Sequence, residues 1–131
     1  MRKLLLLALF IAAVPLQAAD NTAPAFDVKK AIGLFKGTAL NGPGLQPVET
    51  TFYVGREGEL LGGYVLSGPD HTFRGHLSNA QFDGPRQLTM EWTDKDGEGS
   101  VDFEFSADYK SFTGEWSDNN GGHGPWSGKK Q

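Results

Sequence analysis

The clearest structural pattern of the chain is in residues 88–105, LTMEWTDKDGEGSVDFEF. On both sides of the central Asp-Lys-Asp-Gly, apolar residues alternate with polar ones, which is the pattern of half-buried β-strands. Asp-Gly between two alternating runs is a strong signal for a hairpin turn. The stretch therefore predicts an antiparallel hairpin with one apolar side and one solvent-facing side.

The same alternation continues outward from this hairpin, from Phe35 to Gly128, between closely spaced turns rich in Gly, Pro, Asn and Asp. These runs predict about eight short strands. Sequential strands joined by short turns usually pair with each other, and strands with one apolar face close readily into a barrel. We therefore predict an all-β fold, an up-and-down antiparallel meander forming a small barrel. A half-open sheet and a sandwich are the alternatives.

Glycine recurs between apolar residues in several of these strands. Glycine weakens a strand unless a bend or a close approach requires it, so we expect these glycines on the inner face of a tightly coiled sheet, with neighbouring rings over them. The repeats are Phe35-x-Gly37-x-Ala39, Leu61-x-Gly63-x-Val65, Phe73-x-Gly75-x-Leu77 and Phe112-x-Gly114-x-Trp116. The expected cross-strand pairs are Met90 with Phe103, Phe103 with Gly114, and Val101 with Trp116.

The spacing of glycine and aromatic residues in Gly62-Gly63-Tyr64 and Gly114-Glu115-Trp116 resembles that of avidin-like barrels. It is also similar to Gly-x-Trp/Tyr repeats in secreted bacterial proteins. The resemblance spans Phe35 to Gly128 and implies a β-meander barrel. The polar residues with which avidin-like proteins hold biotin have no counterpart in this sequence, so the resemblance implies no ligand-binding residue.

The N-terminus has the features of an export signal. A basic start, Met1-Arg2-Lys3, precedes an apolar run that is too short to cross a bilayer core of about 30 Å. We predict a signal peptide at residues 1–18, with an uncleaved anchor as the alternative, and hence a periplasmic or secreted location. Residues 19–33 are then a polar leader and a short helix that Asp27 caps and Gly33 ends, and residues 34–131 are the β-domain.

The composition disfavours several functions. The chain has 12 basic and 16 acidic residues, and without Arg2 and Lys3 the balance is 10 against 16, which argues against nucleic acid. Without cysteine there is no thiol nucleophile or thiolate metal site, and His71 and His76 point to opposite faces of one strand. We expect no enzyme, no cofactor, no metal and no membrane span in the mature form.

Two surface features are candidate partner-binding sites. The predicted register places Glu91 opposite Asp102 and Asp102 opposite Glu115, with Glu104 one step along the strand. Like charges directly opposite one another are destabilising, so this acidic row is either a dock for a basic partner or calcium, or a solvated face. With Phe52 opposite Leu61, a second, aromatic patch lies on the outer face and consists of Tyr53, Leu60, Tyr64, Leu66 and Arg74. It is either a partner contact, a face covered by the N-terminal segment from Phe26 to Ile32, or scattered exposure.

These observations favour an exported protein-binding module, such as an inhibitor, an immunity-type protein or an envelope-assembly accessory protein, that binds another, possibly basic, protein. The alternative is a barrel that binds a small apolar ligand. In that case Trp92, Trp116 and Trp126 line a cavity, whereas otherwise they fill the core. An open interior of a few hundred Å³ lined by aromatic rings favours the ligand-binding function, and a filled interior favours binding of a partner at the surface.

Overall fold

The computed structural model of the protein describes residues 24–131, and the predicted signal peptide at residues 1–18 lies outside that range. The alternating runs form eight antiparallel strands, each paired with its neighbours in the chain, and the last strand also pairs with the first. The sheet is thus a closed up-and-down barrel, as predicted. The elements are α1 (Val28–Ala31), β1 (Gly33–Asn41), β2 (Gly44–Val54), β3 (Leu60–Ser67), β4 (Thr72–Gly84), β5 (Gln87–Asp94), β6 (Gly97–Phe105), β7 (Ser111–Asp118) and β8 (His123–Lys130).

One half of the barrel interior is filled by five phenylalanine rings. Neighbouring rings in this cluster lie 4.9–5.9 Å apart between centroids, most of them edge to face, as aromatic quadrupoles prefer. The rings come from alternate positions of β1, β2, β6 and β7, so the predicted inner faces of these strands are confirmed. The cluster is Phe35, Phe52, Phe103, Phe105 and Phe112.

The N-terminal segment covers the barrel end next to this cluster. The Asp27 carboxylate accepts a hydrogen bond from the Lys30 amide at 3.2 Å and caps α1, as predicted. The Phe26 ring packs on Phe105 and Tyr109, with centroids 5.5 and 5.4 Å away. The Asp27 amide donates to the Tyr109 hydroxyl at 3.0 Å, and Ala31 is fully buried. This end of the barrel is therefore closed.

The predicted register between β2 and β3 is wrong by one residue. Phe52 pairs with Gly62, not with Leu61, because residues 55–59 form the whole loop and Val54 pairs with Leu60. A slip of one residue turns every side chain of a strand to the other face. The inner residues of β3 are therefore Leu60, Gly62, Tyr64 and Leu66, instead of Leu61, Gly63 and Val65.

The predicted register between β5 and β6 is wrong by two residues. Met90 pairs with Val101 and not with Phe103, because the hairpin turns tightly at Lys95-Asp96. The Asp94 carboxylate accepts a hydrogen bond from the Asp96 amide at 2.8 Å, an Asx turn that closes the hairpin early. A shift of two residues keeps each side chain on its face. The pairs Phe103–Gly114 and Val101–Trp116 are confirmed.

Candidate functional site

The end of the barrel opposite α1 is open and holds a cavity of about 380 Å³, here called the cup. Because the strands are antiparallel, the ends of odd-numbered strands meet the beginnings of even-numbered strands at this mouth. The cup is apolar in its depth and polar at its rim. Its lining includes Ala39, Leu40, Asn41, Val48, Tyr64, Leu66, Phe73, Trp92, Asp94, Asp96, Trp116, Asp118, His123 and Trp126.

All three tryptophans of the chain line the cup. Trp126 forms its floor, because its ring lies between Tyr64 on the cup side and Phe103 on the core side, at 4.9 and 5.5 Å between centroids. Trp92 and Trp116 meet edge to face in the wall at 5.9 Å. The interior is thus neither wholly filled nor wholly empty: phenylalanines occupy one half and a ring-lined space occupies the other.

Each indole N–H of the cup has an acceptor within the protein. Trp92 Nε1 donates to the Ser117 carbonyl at 3.1 Å, and Trp116 Nε1 donates to the Leu40 carbonyl at 3.0 Å. Trp126 Nε1 donates at 2.9 Å to the hydroxyl of Thr50, which is fully buried. These bonds hold the rings in fixed orientations, so the cup is preformed.

Three residues that are paired across β3, β4 and β5 run from the wall of the cup to its rim: Tyr64, Gly75 and Asp94. Gly75 pairs with Tyr64 on one side and with Asp94 on the other. The Tyr64 ring lies across Gly75, where an added Cβ would overlap Tyr64 Cζ. The Tyr64 hydroxyl donates to Asp94 Oδ2 at 2.7 Å. Only a glycine at the middle position lets the ring reach this carboxylate.

Tyr64 is held in its neutral form. Burial of the ring raises the pKa of Tyr64 well above its usual value, and the hydrogen bond to Asp94 and the negative charges of Asp94 and Asp96 raise it further. The phenol therefore stays a donor to a higher pH than an exposed tyrosine would, and the negative charge of the pair is that of Asp94 at the mouth of the cup.

Two half-buried carboxylates stand directly above two of the tryptophans. Asp94 follows Trp92 by two residues and Asp118 follows Trp116 by two, so each pair shares the inner face of its strand. Asp118 Oδ1 accepts from the Gly122 amide at 2.7 Å, which fixes the carboxylate in its loop. Sequence analysis missed both aspartates, although their signal is visible as a repeat: Glu-Trp-Thr-Asp at 91–94 and Glu-Trp-Ser-Asp at 115–118.

The predicted acidic row is only partly assembled. Asp102 and Glu115 are paired on the outer face of β6 and β7, as predicted, but Glu91 pairs with Ser100 instead of Asp102. Glu104 lies one step along β6, opposite Thr113. Three of these four carboxylates have partners within the protein. Asp102 lies 2.8 Å from the Thr89 hydroxyl, which has one proton to donate to it or to Asp83. Glu91 accepts from the Asn79 side-chain amide at 2.8 Å, and Glu115 lies 3.0 Å from His123 Nδ1.

The outward placement of most of the predicted aromatic patch is wrong. Because of the register of β3, Leu60, Tyr64 and Leu66 are inside the barrel and are at most 7% exposed. Tyr53 is on the outer face and is 44% exposed, and Arg74 is exposed on β4. Arg74 pairs with Val65, not with Tyr64, so these two side chains do not stack.

The described residues contain neither a metal-binding cluster nor a membrane-spanning helix. Among residues 24–131, no group of three or more His, Asp or Glu side chains is arranged to hold a metal ion. The same range contains no helix of the length and apolarity needed to cross a bilayer.

Comparisons of the chain with protein-family models, with curated proteins and with solved structures give no match. The resemblance to avidin-like barrels and to Gly-x-Trp/Tyr repeat proteins therefore stays a prediction.

Proposed function

We propose that this protein is a small-ligand-binding β-barrel that holds one organic molecule in the cup. The observation that carries the proposal is the cavity of about 380 Å³ walled by Trp92, Trp116 and Trp126. Small-molecule sites are concave, mostly apolar spaces of roughly 300–1,000 Å³ with a few oriented polar groups. From the predicted signal peptide at residues 1–18, we further propose that binding takes place in the periplasm or the medium.

The rigidity of the cup supports this function. The side chains of a preformed site are already ordered before the ligand binds. Binding therefore costs less conformational entropy, and the affinity is higher. Here the three indole N–H groups and the Tyr64 hydroxyl are already bonded within the protein. Apolar neighbours such as Val48 and Leu66 complete a wall that a hydrocarbon or aromatic body can contact.

The protein-binding hypothesis stays a prediction with weaker support. The outer face of the barrel has a depression of about 520 Å³ that contains Asp102, Glu104 and Glu115, and a basic partner would dock there. Asp102 and Glu115 already have internal partners, and three members of the aromatic patch are buried. The structure of the outer wall therefore supports binding of a protein partner less well than the cup supports binding of a ligand.

A matched pair of substitutions on β2 tests the proposed function. Val48 is buried in the wall of the cup, whereas Val54 is exposed near the opposite end of the same strand. Val48→Phe fills part of the cup with a ring, and Val54→Phe adds the same ring outside it. We expect the neutral fluorescent probe N-phenyl-1-naphthylamine to bind the native barrel and the Val54→Phe variant alike, and the Val48→Phe variant at least about tenfold more weakly.

The readout is energy transfer from tryptophan to the probe, because every tryptophan of the chain lies at the cup. Overpacking destabilises a protein by about 1–3 kcal/mol, so thermal melting must first show that Val48→Phe is folded at the temperature of the titration. Equal affinity of the two variants would contradict binding in the cup.

A further inference from the structure

The hydrogen-bonding groups at the cup are unevenly divided between donors and acceptors. Within the described part of the chain, the side chains that line it include three carboxylates, those of Asp94, Asp96 and Asp118, and no lysine or arginine. A carboxylate accepts up to about four hydrogen bonds. Asp118 Oδ1 accepts two backbone N–H groups, and among residues 24–131 its Oδ2 accepts none. Acceptor capacity therefore remains at the rim.

The donor capacity in the depth of the cup is already used. The indole N–H groups of the three tryptophans bind Ser117, Leu40 and Thr50, and the Tyr64 hydroxyl binds Asp94. The remaining side-chain donors are at the rim, on Asn41 and His123, and each already makes one hydrogen bond. Among residues 24–131, no free side-chain donor lies deep in the cup for a ligand that must accept hydrogen bonds there.

The aromatic walls add a preference for positive charge. The face of an aromatic ring carries negative potential and attracts a cation, most strongly for tryptophan. The protein itself provides an example at the mouth, where Lys95 Nζ lies 4.9 Å from the centroid of the Phe73 ring. Lys95 also pairs with Asp96 at 3.4 Å and so offsets part of the negative charge there, which leaves Asp94 and Asp118 as the carboxylates above Trp92 and Trp116.

We propose that the ligand of the cup is an organic cation, a primary or quaternary ammonium attached to an apolar or aromatic body. The body lies against Trp126 and the apolar wall, and the ammonium lies at the level of Asp94 and Asp118. An anionic ligand of the same shape would bring like charges together in a half-buried site. This inference rests on the proposed function and names the chemical class of its ligand.

Three probes that share one body test the inference: 3-phenylpropylammonium, 3-phenylpropanol and 3-phenylpropionate. We expect the ammonium to bind at least about tenfold more tightly than the alcohol, and the carboxylate to bind most weakly, as measured by calorimetry and tryptophan emission. The preference should shrink as salt is added, because the carboxylates at the rim are in part exposed to solvent.

The carboxylates are tested by isosteric amides. In Asp118→Asn the amide oxygen still accepts from the Asn120 and Gly122 amides, so the charge is removed with little change in structure. In Asp94→Asn the amide oxygen keeps the hydrogen bond from the Asp96 amide, and the new NH2 group faces the Tyr64 hydroxyl, which then accepts instead of donating. We expect each variant to lose at least about threefold in affinity for the ammonium and to keep its affinity for the alcohol. Asp102→Asn removes the same charge from the outer wall and serves as the control, which should bind all three probes like the native protein.

The outcomes separate the two proposals. Equal binding of the three probes, together with binding of N-phenyl-1-naphthylamine, would overturn the inference and leave the ligand-binding cup standing. Absence of binding by all four probes would overturn both. If the preference for the ammonium falls in Asp102→Asn by as much as in Asp94→Asn and Asp118→Asn, the preference comes from the net charge of the protein. That result would also overturn the inference.

Discussion

At the scale of single residues, Gly75 has the clearest structural role. An added Cβ at this position would overlap the Tyr64 ring, whose hydroxyl group would then move away from Asp94. Gly63, on the neighbouring strand, faces outward, and an added Cβ there would meet only the Gly75 carbonyl oxygen at 3.5 Å, an ordinary contact. These two glycines have similar sequence neighbours, but only Gly63 has space for an added Cβ.

We therefore predict that Gly75→Ala lowers the free energy of unfolding by about 1–3 kcal/mol, the usual range for overpacking in a core. Gly63→Ala should leave it within about 0.5 kcal/mol or raise it slightly, because alanine is less flexible than glycine in the unfolded chain. Urea unfolding of the two variants beside the native protein measures both values. A Gly75→Ala variant as stable as Gly63→Ala would mean that the Tyr64 ring does not lie across this glycine.

The sequence pattern predicts the positions of the tryptophans in the site better than those of Tyr64 and Asp94. Alternation predicts the tryptophans on the inner face, where they line a cavity or fill the core, because each alternates clearly with polar residues, as in Met90-Glu91-Trp92-Thr93. Tyr64 was placed on the wrong face because its neighbours carry no such signal. Asp94 was interpreted only as a turn residue, which it is, but the same position also brings its carboxylate to the rim.

At the scale of elements, β3 explains why one strand was misassigned. It reads Leu60-Leu61-Gly62-Gly63-Tyr64-Val65, so both faces offer one leucine, one glycine and one large apolar residue. Alternation cannot choose between two equivalent faces. The choice is made by the five-residue loop at 55–59 and by the partners of Tyr64 across β4 and β5, and these contacts are distant in sequence.

The N-terminal segment is an element whose contribution can be measured separately from the cup. Phe26 packs on Phe82, Phe105 and Tyr109 at the closed end of the barrel. Because the Phe26 ring is half-buried, Phe26→Ala should lower the free energy of unfolding by about 2 kcal/mol, somewhat less than for a fully buried ring.

The affinity of the Phe26→Ala variant for N-phenyl-1-naphthylamine should be unchanged, because the phenylalanine cluster lies between this end and the cup. Leu45→Ala is the control for stability, since Leu45 is 59% exposed and should contribute little. A large loss of probe affinity in Phe26→Ala would indicate that the two ends of the barrel are not independent.

At the scale of the whole molecule, the buried tyrosine links stability to pH. A tyrosine in the unfolded chain ionises near pH 10, whereas burial and Asp94 keep Tyr64 protonated in the folded barrel to higher pH. The folded state therefore binds this proton more tightly. Its contribution is complete below about pH 10 and is lost as the pH rises above that value, because the unfolded state is then favoured by ionisation.

We predict that the free energy of unfolding falls more steeply for the native protein than for Tyr64→Phe between about pH 10 and pH 11. Below about pH 9 the difference between the two proteins should be constant. Denaturant unfolding at a series of pH values measures the two curves. Parallel curves over the whole range would show that Tyr64 ionises alike in the folded and unfolded chains.

Alternation and turn residues in the sequence are enough to predict an all-β meander of eight strands, the short capped helix before it, and the buried face of every strand except β3. These properties depend on alternation and on turn residues, which are local. Two other features follow only from the three-dimensional contacts: the barrel is closed at one end and open at the other, and Tyr64 and Asp94 meet across Gly75 at the rim. Such meetings depend on register, which loops and long-range packing set, and a difference of one residue moves a side chain from the outer surface into the cup.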